Sequence, residues 1–280
     1  TDFDIDEESY YRWFGYIQEM GANTIRVYTI QADEFYNAFY AYNQGRDEPL
    51  YLIHGVWVND YVQNSHMDAY DERFFDTLIE DCRTLVDVLH GNKKISLGRY
   101  ASAGSGTYKY DISPWVVGYI LGVEWEGQTV EFTNQNYKDQ PEYTSYTGKY
   151  MYTDGEVSAF EAMLCRVGDK IIEYETERYK QQRLVAMSGW PTTDPFVYPE
   201  KVRQYLSKCT EIDVEKILCT EHFLSGQFAS YHVYPYYPDY LSYVTDWTPY
   251  GIDAPLDFVD EDGRLNTYRA YLTALTNHHT

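Results

Sequence analysis

Five short runs rich in β-branched and aromatic residues, each bounded by turn formers, alternate along this chain with segments of helical periodicity. The runs are residues 23–30 (NTIRVYTI), 50–58 (LYLIHGVWV), 116–125 (VVGYILGVEW), 183–190 (RLVAMSGW) and 228–235 (FASYHVYP). They read as strands, and the nearly unbroken apolar character of VVGYILGVEW fits a strand covered on both faces. Between them, Tyr10, Phe14 and Ile17 share one stripe of a helix over 9–20, with Gly21 where a C-terminal cap belongs. Residues 32–43 form a second helical stretch. A third runs through Phe75, Leu78, Ile79, Cys82, Leu85, Val86 and Leu89 to Gly91, a fourth through Val157, Phe160, Leu164, Val167 and Ile171, and a last one covers 266–277. Strands that alternate with helices argue for a parallel sheet built by right-handed crossovers.

Two architectures share that alternation, a doubly wound open sheet and a (β/α)8 barrel. The open sheet usually announces a nucleotide through GxGxxG or GxxxxGK[ST] in its first turn, and neither motif is present. The GSG at 104–106 precedes a loop, so it reads as a flexible connection within the Gly, Ser and Tyr-rich stretch 96–110. Polar or aromatic side chains instead gather near the C-terminal ends of successive strands: Arg26 and Tyr28, His54 and Trp57, Glu124 and Trp125, Trp190, and His232 and Tyr234. In a barrel those ends surround one mouth, where active sites sit. The expected fold is therefore a TIM (β/α)8 barrel of which this chain carries an incomplete part, about strands two to six, with 1–280 forming a single barrel domain; 280 residues with 44% hydrophobic content can bury a full core.

Composition narrows the partners. With 44 Asp and Glu against 22 Lys and Arg, the surface repels phosphate backbones and anionic lipid headgroups, which argues against nucleic acid and membrane surfaces. No run of about 18 apolar residues is present to span a bilayer. The 32 Tyr, 6 Trp and 12 Phe suit a carbohydrate groove, because aromatic faces pack on the apolar faces of sugar rings while Tyr hydroxyls reach sugar hydroxyls. Core and surface filling is the competing account. Cys82, Cys165, Cys209 and Cys219 are too widely spaced for a CxxC metal site and read mainly as buried thiols, with a Cys209–Cys219 pair left open. Without HxH or HExxH spacing, no metal is expected, and no cofactor either.

These motifs resemble the clan of retaining glycoside hydrolases with (β/α)8 barrels, and most closely uncharacterised family-2-like glycosidase barrels. Arg26 in NTIRVYTI resembles the second-strand Arg near the nucleophile, His54 in LIHGVW the third-strand His, and Glu124 in GYILGVEW the fourth-strand acid/base. HVYP, with His232 and Tyr234, resembles the sixth-strand His-x-Tyr segment whose Tyr contacts the nucleophile. The resemblance implies strands two to six of the eight, an oligo- or polysaccharide substrate, action outside the cytoplasm, and a nucleophile Glu on a seventh strand beyond NHHT. The chain is accordingly expected to be part of a longer protein with further domains, and its opening TDFDIDEESYYRW, which lacks an initiator Met, fits that expectation. One departure stands beside the acid: most clan members place Asn before it to hold the sugar 2-hydroxyl, and this chain has Val123.

Each candidate has an ordinary structural alternative. Glu124 reads alternatively as a salt-bridged strand-end carboxylate, although its isolation among Val, Trp and Gly suits a general acid. Glu126 competes with it if the strand continues. His54 and His232 fit core histidines as well as ligand contacts. Trp57, Trp125 and Trp190 fit sugar platforms or packing under loops. Asp194 reads as a helix cap, and DFDIDEE as a solvated helix start. The expected function is a retaining glycosidase or transglycosidase with Glu124 as acid/base and Arg26, Tyr28, His54, Trp57, Trp125, Trp190, His232 and Tyr234 around the substrate. The alternative is a non-catalytic glycan-binding or scaffolding barrel of a larger cell-surface protein.

Overall fold

The computed structural model describes residues 5–58, 68–96, 104–122, 124–234, 239–252, 259, 261–263 and 266–279. Val123 and residues 97–103 of the Gly/Ser/Tyr connection therefore lie outside the described residues. All five runs form strands: β1 (Thr24–Val27), β2 (Tyr51–Val56), then β5 (Val116–Leu121), β7 (Leu184–Gly189) and β9 (Ser230–Tyr231). They make one curled parallel sheet in the order β1-β2-β5-β7-β9, with Arg26 opposite Ile53, His54 opposite Tyr119, Ile120 opposite Ala186 and Ser188 opposite Ser230. This is a half-barrel. A full eight-stranded barrel is not shown by the described residues.

The helices are α1 (Glu7–Glu19), α2 (Asp33–Asn43), α3 (Glu72–Leu89), α4 (Gly127–Tyr137), α5 (Ala159–Tyr179), α6 (Glu200–Leu206) and α7 (Thr267–His278). The N-terminal acidic run does start a helix: Asp6 caps α1 by accepting from the Ser9 N–H, and Glu7 and Glu8 occupy its first turn beside the positive end of the helix dipole. Helix α5 begins with a capping box between Ser158 and Glu161. Two short antiparallel strand pairs stand outside the main sheet, β3 (Lys93–Ile95) with β4 (Gly106–Tyr108) and β6 (Met151–Thr153) with β8 (Ile217–Cys219). The GSG segment is thus no free connection. Its Gly104 N–H donates to the Ile30 carbonyl, and Gly106 opens β4.

The main core lies between the sheet and the helices. Phe14, Phe35, Phe39, Phe74, Leu78 and Phe160 on the helices meet Leu52, Val56, Tyr119, Leu121, Val185 and Met187 on the strands. Side chains alternate along a strand, so Arg26, Ile53, Gly55, Gly118, Ile120, Ala186 and Ser188 take the opposite, concave face. Gly55 is needed there, because a Cβ would lie 2.7 Å from the Tyr28 carbonyl oxygen. A second core gathers Phe196, Tyr198, Val202, Leu206, Trp247, Tyr250 and Tyr271 around α6 and α7.

Asp194 belongs to that second core and caps no helix. It is fully buried and accepts from Lys208 Nζ at 2.9 Å, from the Tyr198 and Tyr271 hydroxyls at 2.6 and 2.8 Å, and from the Phe196 N–H at 3.0 Å. All four cysteines are free; Cys82 and Cys165 are buried, Cys219 is half-buried and Cys209 exposed. No helix among the described residues is long and apolar enough to cross a membrane.

Candidate functional site

The concave face and the loops at the strand ends bring six of the expected residues together. Arg26 reaches across the sheet from β1 to the residue after β9, where its Nη2 lies 2.8 Å from His232 Nε2. A guanidinium carries only donors, so Nε2 must accept, which leaves the imidazole proton on Nδ1. That nitrogen lies 3.0 Å from Glu124 Oε1 and donates to it. Tyr234 donates its hydroxyl to the same Oε1 at 3.1 Å. Arg26, His232 and Glu124 thus form one directed chain of hydrogen bonds, with Tyr234 as a second grip on the acid.

Exposure separates their roles. The Glu124 side chain is 30% exposed and open to a ligand, whereas the His232 side chain is 5% exposed and acts behind it. Tyr28 covers the Arg26 guanidinium at 4.6 Å and meets Trp57 and His232 edge-on at 5.7 and 5.8 Å. Tyr28 and Tyr234 are 48% and 46% exposed, so each keeps a ring face for a ligand. Burial and the bond to Glu124 push the Tyr234 hydroxyl above its ordinary pKa, so it remains a donor at neutral pH. Among the described residues Arg26 forms no ion pair with a carboxylate, and its buried Nε has no hydrogen-bond partner. This is a cation half-buried at the mouth of a chain with net charge −22.

Three expected site residues have other roles. His54 is fully buried, because it shares its face of β2 with Leu52 and Val56 and so points into the helix layer. Its Nδ1 donates to the Gly55 carbonyl at 2.9 Å and its Nε2 takes the Tyr36 hydroxyl at 2.7 Å. Burial lowers its pKa to about 4, keeping it neutral. Trp125 is also fully buried, packed edge-on against Phe160 at 5.2 Å, with no face free for a sugar. Trp190 is half-buried and has committed its N–H to the Trp125 carbonyl at 2.9 Å. Glu126 does not compete with Glu124. It caps α4 by accepting from the Thr129 N–H at 2.7 Å.

No group of three or more His, Cys, Asp or Glu side chains among the described residues is arranged to hold a metal ion. The chemistry the mouth can support is therefore read from one reachable carboxylate, a cation, two exposed phenol rings and an indole. Comparison with family models, with curated proteins and with solved structures gives no match.

Proposed function

We propose that the chain is the acid/base-bearing part of a retaining glycoside hydrolase or transglycosidase acting on O-glycosidic bonds of an oligo- or polysaccharide outside the cytoplasm. The observation that carries this reading is Glu124: a strand-end carboxylate 30% exposed, with one oxygen gripped by His232 and Tyr234 and aromatic rings beside it. Protonated Glu124 gives its proton to the leaving oxygen as a carboxylate nucleophile attacks the anomeric carbon and the C–O bond breaks. The resulting Glu124 carboxylate then takes a proton from water, or from an acceptor hydroxyl, which displaces the nucleophile. Arg26, with its unused Nε, is the cation beside which that nucleophile would sit. Tyr28, Trp57 and Tyr234 supply faces for sugar rings.

The test is Glu124→Gln in the full-length protein, measured on aryl glycosides with good and poor leaving groups. Poor leaving groups should lose about 10²–10⁴-fold in rate, since that is what a general acid contributes. Activated aryl glycosides should still form the glycosyl intermediate, and added azide should restore its turnover. Equal loss on both substrate classes without azide rescue, or glycan binding by a wild type that cleaves nothing, overturns the reading in favour of a binding module.

A further inference from the structure

We infer that Trp125 and Trp190 are positioning residues that clamp the main chain on the C-terminal side of Glu124, with Gly122 as the notch that lets the clamp close. The inference rests on Glu124 being the acid/base, but the geometry stands by itself. Strand β5 ends at Leu121, and Gly122 is still tied to the sheet through its N–H to the Val56 carbonyl at 3.0 Å. Gly122 has φ +93°, and a Cβ there would lie 1.8 Å from Trp125 Cζ2. The chain therefore leaves the strand in a conformation suited to glycine and turns back, so that the Trp125 indole lies against the Gly122 backbone. No other residue type leaves room for that ring.

Trp125 is then held at its indole N–H and at its carbonyl. Its indole N–H donates to the Ser188 carbonyl on β7 at 2.9 Å, and its carbonyl accepts the Trp190 indole N–H at 2.9 Å. Phe160 and Phe74 close on the ring at 5.2 and 6.4 Å. One residue further, Glu126 is pinned as the cap of α4. On its C-terminal side Glu124 is thus followed by an anchored indole and an anchored helix start, which limits how far its main chain can shift. His232 and Tyr234 then hold its side chain. The magnitude at stake is large, because a misplacement of about 1 Å in a reacting group can cost about 10²-fold in rate.

Trp190→Phe tests the clamp. It keeps most of the ring at a half-buried position and removes only the N–H that holds the Trp125 carbonyl. The first readout needs no activity: in protein labelled with ¹⁵N at histidine, the His232 Nδ1–H resonance, assigned by its loss in His232→Gln, reports the bond to Glu124. The inference expects that resonance to move or broaden in Trp190→Phe while thermal unfolding stays cooperative. The second readout is kinetic: poor leaving groups should slow about 10–100-fold at unchanged KM while activated aryl glycosides change less than about 3-fold. Gly122→Ala should move the same resonance further, since it displaces the indole itself. An unmoved His232 resonance in folded Trp190→Phe overturns the clamp whatever the kinetics. A moved resonance in a protein whose wild type cleaves no glycoside supports the clamp and overturns only the catalytic assignment.

Discussion

Lys208→Met should be among the most damaging single substitutions outside the Glu124 cluster. Lys208 and Asp194 side chains are both 0% exposed, and Nζ donates to Asp194 Oδ1 at 2.9 Å and to the Asp194 carbonyl at 2.7 Å. Met retains the length and apolar volume of the Lys stem, so little cavity is created and the change isolates the charge. What remains is a buried carboxylate satisfied by three neutral donors, the Tyr198 and Tyr271 hydroxyls and the Phe196 N–H, with no cation beside it. Breaking a buried pair on one side typically costs about 3–5 kcal/mol, because the surviving charge stays desolvated. Asp194 also ties the loop after β7 to α7 through Tyr271, so the loss should fall on the second core. Urea unfolding followed by intrinsic fluorescence and far-UV circular dichroism measures it. The companion variant Lys208→Met with Asp194→Asn removes the orphaned charge and keeps acceptors for the two phenols, and should recover more than half of the loss. A single-variant cost under about 1 kcal/mol, or a double variant as unstable as the sum of the singles, would refute the view that an uncompensated buried charge dominates this site.

Two further outcomes follow from burial. Burial holds the folded pKa of His54 at about 4 against an ordinary 6.5, so the unfolded chain takes up a proton that the folded chain refuses. Stability should therefore rise with pH between about 4 and 6.5 and be lost on acidification, by about 3 kcal/mol from this group, and His54→Gln should flatten that part of the urea-midpoint profile. A thiol-specific disulfide reagent should label exposed Cys209 first and half-buried Cys219 more slowly; Cys82 and Cys165, buried and with thiols pushed up by desolvation, should react only on unfolding.

The strands and the longer helices were legible because burial imposes a period, and the period survives in the residues. Helix α4 was not, since its buried face is Gly127, Thr129, Val130 and Thr133, small and mostly polar. Its hydroxyls work as connectors: Thr133 Oγ1 donates to the Thr129 carbonyl and accepts from the Ala69 N–H. The antiparallel pair β6–β8 joins segments distant in sequence and only three residues long, too short for alternation to register. The second core and the Asp194 cluster depend on long-range packing that no local pattern encodes. At the mouth, Glu124, Arg26, His232 and Tyr234, singled out by their positions at strand ends, lie in one hydrogen-bonded cluster. His54 was misassigned although the signal was available, because Leu52 and Val56 on the same alternation mark its face as the core side. Trp125 could not have been placed this way, since its direction depends on the positive φ of Gly122.

What alternation and strand-end position cannot convey is direction, and direction is what makes the Glu124 cluster chemically asymmetric. Arg26 can only donate, so it fixes the bare nitrogen of His232 and thereby puts the ring proton on the side of Glu124. Tyr234, kept protonated by its surroundings, adds a second donor to the same Oε1. Both of these donors act on Oε1, which leaves Oε2 for the proton exchange proposed above. A residue on the first strand of the sheet thus orients, through a buried imidazole, the donor that marks one oxygen of an acid two strands away. The exposures fit the same proposal: a shielded His232 keeps the tautomer that Arg26 sets, and the 30% exposed Glu124 side chain can be reached.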